Sequence, residues 1–305
     1  MLLACGALLA LAQLAAARIT GFHVDDESCS GLLMNNRTDQ ELKCAAYFRS
    51  LANVSATLAQ YSSGLKGPPL TLTVDARTAW SCQAGQAGCF NLTFNGTTKS
   101  VAEHVVDLTD GVVLMDYDRS PQRVVRRAAP YLSYADSVGG AVSVGLAIAG
   151  PPYNESLSWQ TRDEKELAGV MAGSLPALSA HPSFKGFSVF LSATWGANSG
   201  PAGDALPWPG NTGVWYIDHG LVLDETRRAP WLAWAQTRRI GAVFIAPHAG
   251  NRALISIPGK EGSAADDVKF CDFIHQAGAK GIDVQLLSDP VLDIAFIRNC
   301  SARPD

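Results

Sequence analysis

Eight short apolar segments, six of them followed by a stretch at helical spacing, constrain this chain of 305 residues more than any other feature. The segments are 19–25, 70–75, 111–118, 141–148, 187–192, 214–217, 242–245 and 282–287. Helical spacing predicts helices over 38–61, 120–137, 163–180, 224–239 and 264–279, and a short helical or turn segment over 104–108. Strands that alternate with helices form a parallel sheet, and eight such units close a barrel. The expected fold class is therefore α/β, a (β/α)8 barrel. The alternative is an open doubly wound sheet. No G-x-G-x-x-G follows any strand, so a dinucleotide-binding version has no support. Residues 196–213, rich in Gly, Pro and Ala, read as a linker between five units and three. The expected boundaries are 18–195 for the first block and 214–305 for the second. If one barrel closes, strand 282–287 lies parallel beside 19–25, and 187–192 beside 214–217.

Composition narrows the partners. Hydrophobic residues make up 47% and charged residues 17%, a balance that buries a large core. The net charge is -4 with no basic run, so nothing points to nucleic acid. Residues 1–17 are apolar except Gln13 and end Ala15-Ala16-Ala17, which fits a signal peptide or, equally, a barrel helix feeding the first strand. No other segment is apolar long enough to span a membrane. Of seven cysteines, six remain if Cys5 is removed with a leader, and local pairings Cys29–Cys44, Cys82–Cys89 and Cys271–Cys300 are one possible connectivity. No C-x-x-C occurs, so a zinc site is not expected, and no metal or organic cofactor is implied. Sequons at Asn36, Asn53, Asn91, Asn95, Asn154 and Asn299 join the cysteines in pointing to an extracellular or secretory location.

The chemistry concentrates in 20–27, Thr-Gly-Phe-His-Val-Asp-Asp-Glu. Asp25 and Glu27 are two apart and share one face if the strand continues. Carboxylates held close push their pKa values apart and leave one protonated as an acid. The C-terminal end of a barrel strand is also the functional end. Read blandly, the same residues form a solvated acidic turn. Asp75 ends the second strand and faces the same rim. His23, Tyr216 and His248, at or near strand ends, are further candidate binding residues.

Three landmarks then align. The first strand ends Gly21-x-x-x-Asp25-x-Glu27, the third ends Met115-x-Tyr117-Asp118, and the fifth ends in Trp195. This pattern resembles glycoside hydrolase family 18, whose barrel carries D-G-x-D-x-D-x-E on its fourth strand, M-x-Y-D on its sixth and a tryptophan on its eighth. The order here is then permuted, strands four to eight followed by one to three; a true permutant and a segment cut from tandem barrels both fit. The resemblance implies an O-glycosyl hydrolase with a carbohydrate substrate. Glu27 is the implied general acid and Asp25 the group that polarises a substrate acetamido nucleophile. Tyr117 and Asp118 steady the developing positive charge, and Trp195 floors the sugar subsite. The chain departs from the family at Thr20 and His23, where the motif has aspartates, and no S-x-G-G follows strand 282–287. Those departures favour a second class, a barrel that binds glycans without cleaving them. An inactive fragment of a tandem-barrel protein is a third.

Secretion is directly testable. Non-reducing peptide mapping of protein from a eukaryotic secretory host should find paired cysteines and occupied sequons. Free thiols at Cys29, Cys44, Cys82 and Cys89 together with unmodified sequons would sink the expectation.

Overall fold

The computed structural model describes residues 19–24, 29, 37–63, 69–81, 91–148, 164–191, 212–216, 219–246, 248–249, 252–253, 264–287 and 300. Eight parallel strands close a barrel: β1 (Ile19–Val24), β2 (Thr71–Arg77), β5 (Gly111–Met115), β6 (Val142–Ile148), β7 (Phe184–Leu191), β8 (Thr212–Tyr216), β9 (Ile240–Ile245) and β12 (Asp283–Leu287). Two hairpins stand outside the ring, β3 (Asn91–Phe94) with β4 (Thr97–Ser100), and β10 (His248–Ala249) with β11 (Arg252–Ala253). The described helices are α1 (Arg37–Ser62), α2 (Val101–Leu108), α3 (Pro121–Val138), α4 (Glu164–Leu178), α5 (His219–Leu223), α6 (Glu225–Thr237) and α7 (Ala264–Gly278).

Both expected closures are present. In β1, Phe22 pairs with Leu286 of β12 on one side and with Leu72 of β2 on the other. From the first block to the second, Val189 of β7 pairs with Val214 of β8. The two blocks therefore make one barrel. The ring follows chain order all the way round. A cyclic order is the same from whichever strand it is counted, so the ring carries no information about permutation.

Local sequence explains where elements begin and end. Helix α2 starts three residues earlier than its apolar spacing suggests, because Ser100 caps the Glu103 amide while the Glu103 carboxylate accepts from the Ser100 amide. Ser120 caps α3, Pro121 occupies its first position, and Gly139 ends it in the left-handed conformation. Alternation then sorts each strand into two faces. Phe22, Leu72, Val74, Leu114, Val144, Val189, Val214, Val243 and Leu286 belong to the main core between strands and helices. Val113, Trp215 and Phe244 form a second, smaller cluster inside the barrel, with Phe190 and Leu287 packed on it.

Disulfides Cys29–Cys44 and Cys271–Cys300 tie α1 and α7 to the segments beside them, as two of the three expected pairings require. Cys82 and Cys89 lie outside the described residues. Among the described residues no helix is long and apolar enough to cross a membrane.

The contact between β1 and β2 is unusually close at Gly21. A Cβ there would stand 2.5 Å from the carbonyl oxygen of Thr71, a backbone atom that cannot swing aside. Gly169, in α4, has open space around it. Gly21→Ala should therefore cost about 1–3 kcal/mol in chemical denaturation. Gly169→Ala should be stabilising by roughly 0.5–1 kcal/mol, as for a helix-interior glycine. Equal effects from the two substitutions would contradict this account of β1 packing.

Candidate active site

Inward positions near the middle of the barrel carry a polar cluster where branched apolar side chains usually fill the lumen. His23 projects inward from β1 and Asp75 from β2; both are fully buried, and His23 Nε2 lies 2.9 Å from Asp75 Oδ2. That contact is at ion-pair distance but lacks the alignment of a hydrogen bond. The pair is therefore held by proximity rather than by an aligned hydrogen bond. The other ring nitrogen is better placed: His23 Nδ1 lies 2.8 Å from Thr73 Oγ1. Thr73 donates its own hydroxyl proton to Gln285 Oε1 at 2.9 Å. Thr73 Oγ1 thus links the imidazole to Gln285, and the direction of the Nδ1 contact follows the ring's tautomer.

Aromatic rings wall this cluster. The Trp215 and Phe244 rings each lie 5.0 Å from the His23 ring, centroid to centroid. Trp215 is itself fixed, donating from Nε1 to Ser188 Oγ at 2.8 Å. Phe190 packs on Trp215, and Tyr117 stands beyond Phe190 at 6.4 Å. Tyr117 thus belongs to the lumen side of the C-terminal rim.

Its neighbours Asp116 and Asp118 take the other side by the same alternation. Asp118 accepts from Arg123 Nε at 3.0 Å, from Arg127 Nη1 at 2.9 Å and from the Ser120 amide at 2.9 Å. Arg127 Nη1 also donates to Asp116 Oδ1 at 3.1 Å. The two carboxylates brace the start of α3 against the end of β5, and Asp118 serves the helix start. Burial pushes the Asp116 carboxyl up to about 7, opposed by Arg127.

The structure therefore brings His23 and Asp75 together, with Tyr117 on the same side of the barrel wall, and turns Asp118 outward. Asp25, Glu27 and Trp195 lie outside the described residues. For Tyr216 and His248 the structure gives the backbone only: Tyr216 pairs with Ile245 at the end of β8, and His248 pairs with Ala253 in the short hairpin after β9. Sequence reasoning missed Trp215, Phe244, Thr73 and Gln285. Strand alternation is the signal that could have found them, since each is two residues from an inward neighbour or pairs with one across the ladder. Among the described residues no cluster of His, Cys, Asp or Glu could hold a metal ion.

The chain matches no protein-family profile and no curated relative. Two solved structures show a distant likeness. One is a glycoside hydrolase family 99 endo-alpha-mannosidase from Bacteroides thetaiotaomicron, 12% identical over 65% of this chain and 79% of that one, with a TM-score of 0.31. The other is a putative phosphonomutase from Burkholderia cenocepacia, 11% identical over 95% of this chain and 94% of that one, also with a TM-score of 0.31. At that level of similarity neither bears on what this chain does. The barrel itself defines the class, a TIM-type α/β protein.

Asp116 offers a test of the rim electrostatics. Its folded-state pKa is raised, so between the ordinary 3.8 and about 7 the folded chain holds a proton that the unfolded chain has lost. Its contribution to stability is thus largest at low pH and declines as pH rises through that window. Asp116→Asn removes the effect. Its stability relative to wild type should rise between pH 4 and pH 8, by at most roughly 4 kcal/mol at about 1.4 kcal/mol per pKa unit. A difference that does not change with pH, measured by urea unfolding, would contradict the placement.

Proposed function

We propose that this chain is a glycoside hydrolase-like barrel, related to family 18, that acts on an oligo- or polysaccharide at its C-terminal rim in the secretory pathway or outside the cell. The observation that carries the reading is the buried His23–Asp75 pair walled by Trp215 and Phe244, on the strand whose next residues in sequence are Asp25-Asp26-Glu27. A closed barrel with β1 as one of its staves supports it, because strand C-terminal ends are where such barrels place their chemistry.

In this reading Glu27 is the general acid. It gives its proton to the glycosidic oxygen as the bond from the anomeric carbon breaks. The acetamido oxygen of the substrate attacks that carbon from the other face, and Asp25 stabilises the cationic ring so formed. Water then opens the ring, with Glu27 taking back a proton. Tyr117, on the lumen side of the rim, steadies the developing positive charge, and Trp195 holds the sugar. The reaction uses side chains and the substrate's own acetamido group, with no metal or organic cofactor.

A second reading has its own support. Asp118 is committed to Arg123, Arg127 and the Ser120 amide, and Thr20 and His23 stand where the family has aspartates. Both features suit a barrel that binds glycans and does not cleave them.

The experiment is turnover of a chromogenic N-acetylglycosaminide with a poor leaving group. Glu27→Gln keeps size and hydrogen bonding but cannot deliver a proton, so kcat should fall about 10²–10⁴-fold. Asp25→Asn should cost nearly as much, and Glu225→Gln, an exposed carboxylate in the first turn of α6, should cost nothing. Wild-type protein that binds oligosaccharide without cleaving it defeats the enzyme reading in favour of the second. Small, equal losses at Glu27 and Glu225 reduce the acidic strand end to a solvated turn.

A further inference from the structure

The lower half of the barrel is hollow. A cavity of about 310 Å³ opens at the N-terminal mouth, the end away from the expected chemistry. Its position follows from its lining: Thr71, Gly111 and Asp283 are the first residues of β2, β5 and β12, and Gly213 and Gly241 the second residues of β8 and β9. The cause is the same set of residues. An eight-stranded barrel normally fills its interior with layers of bulky side chains. Here Gly111, Gly213, Gly241, Ala141 and Ala242 surround the lowest layer and bring almost no side chain to it. The volume lies at the low end of the range for small-molecule sites, about 300–1,000 Å³.

The lining has one consistent chemistry. Inside the mouth stand the hydroxyls of Thr71, Thr73, Ser143 and Ser188 and the amide of Gln285. Some of their capacity is used: Thr73 donates to Gln285, and Ser188 accepts from Trp215. The Gln285 amide hydrogens, the Ser188 proton and the Ser143 hydroxyl remain to be directed among the described residues. Val113 and Phe244 add apolar surface. The charged lining residues belong to the mouth. Asp110 accepts from the Leu72 amide at 2.8 Å and Lys185 donates to the Pro182 carbonyl at 3.0 Å, both folded back on the chain. Asp283 stands at the start of β12, its carboxyl raised by desolvation. A neutral interior with both donors and acceptors and patches of apolar wall is complementary to a molecule whose hydroxyls alternate with C–H faces. Among the described lining residues a bound ion would find no counter-charge at depth.

We infer that the N-terminal mouth is a second binding site, distinct from the C-terminal rim, for a small neutral polyol between glycerol and a monosaccharide in size. The site is linked to the lumen pair, since Thr73 both lines the cavity and hydrogen-bonds His23. It does not depend on the glycosidase reading.

The test is a titration of the full chain, ¹³C-labelled at Ala and Thr methyls, with glycerol and with myo-inositol as probes. Saturable shifts are expected at Thr71, Thr73, Ala141 and Ala242, with none at Ala147 near the upper end of β6. Ser143→Leu, which fills the cavity, should reduce the shifts at least fivefold while the rest of the spectrum stays native. Glu27→Gln should leave them in place, which separates this site from the rim. If Ser143→Leu does not give a native spectrum, Ala242→Val replaces it with the same expectation. No saturable shift with either probe overturns the proposal. So do shifts that persist in a folded, filled variant, and shifts that vanish with Glu27→Gln.

Discussion

An imidazole and a carboxylate buried together inside a barrel are stable only while the strands that carry them keep their register. Taking either group out of water alone is costly, and the cost is offset only by a partner at short range. His23 and Asp75 are partners because β1 and β2 are adjacent and in step, with Phe22 opposite Leu72 and Val24 opposite Val74. That closeness in turn requires glycine at position 21, where any side chain would strike the Thr71 carbonyl. A slip of one residue would turn His23 to the helix layer and Phe22 into the lumen. The polar cluster thus works as a register lock for the strand whose next residues are Asp25-Asp26-Glu27, and Trp215, Phe244 and Thr73 complete the lock.

Most of the barrel was legible in the sequence because its strands are short and apolar and alternate with segments long enough for helices. The apolar segments at 70–75 and 111–118 and the helical spacing over 120–137 each point to the element that forms, and the neighbours β7 and β8 follow from the strand count. Boundaries were less legible where side chains decide them. The start of α2 is fixed by a reciprocal Ser100–Glu103 cap rather than by hydrophobic spacing. The β3–β4 hairpin is set by Asn95 and Gly96, both with positive φ, within a stretch whose cysteines and sequons mask any period.

The site was legible in part, for a physical reason. Sequence motifs name residues by position along a strand, whereas function depends on which face the residue takes and what stands on the next strand. Met115-x-Tyr117-Asp118 reads as one motif, yet alternation sends Tyr117 toward Phe190 in the lumen and Asp118 to two arginines of α3. His23, read from sequence as a departure from an aspartate pattern, is matched by Asp75, fifty-two residues on in the chain and 2.9 Å away. Its other partners, Thr73 and through it Gln285, come from the two strands flanking β1. No reading of one segment alone could assemble that group.

The stereochemistry of the first product bears most directly on the central claim, that the rim after β1 cleaves a glycoside with Glu27 as acid and the substrate's acetamido group as nucleophile. Two successive displacements at the anomeric carbon, by the acetamido oxygen and then by water, return it to its original configuration. Proton NMR of an N-acetylated oligosaccharide digest, followed from the first minutes before mutarotation, should show the anomer of the starting linkage. The opposite anomer would mean that water attacks directly and would contradict the account.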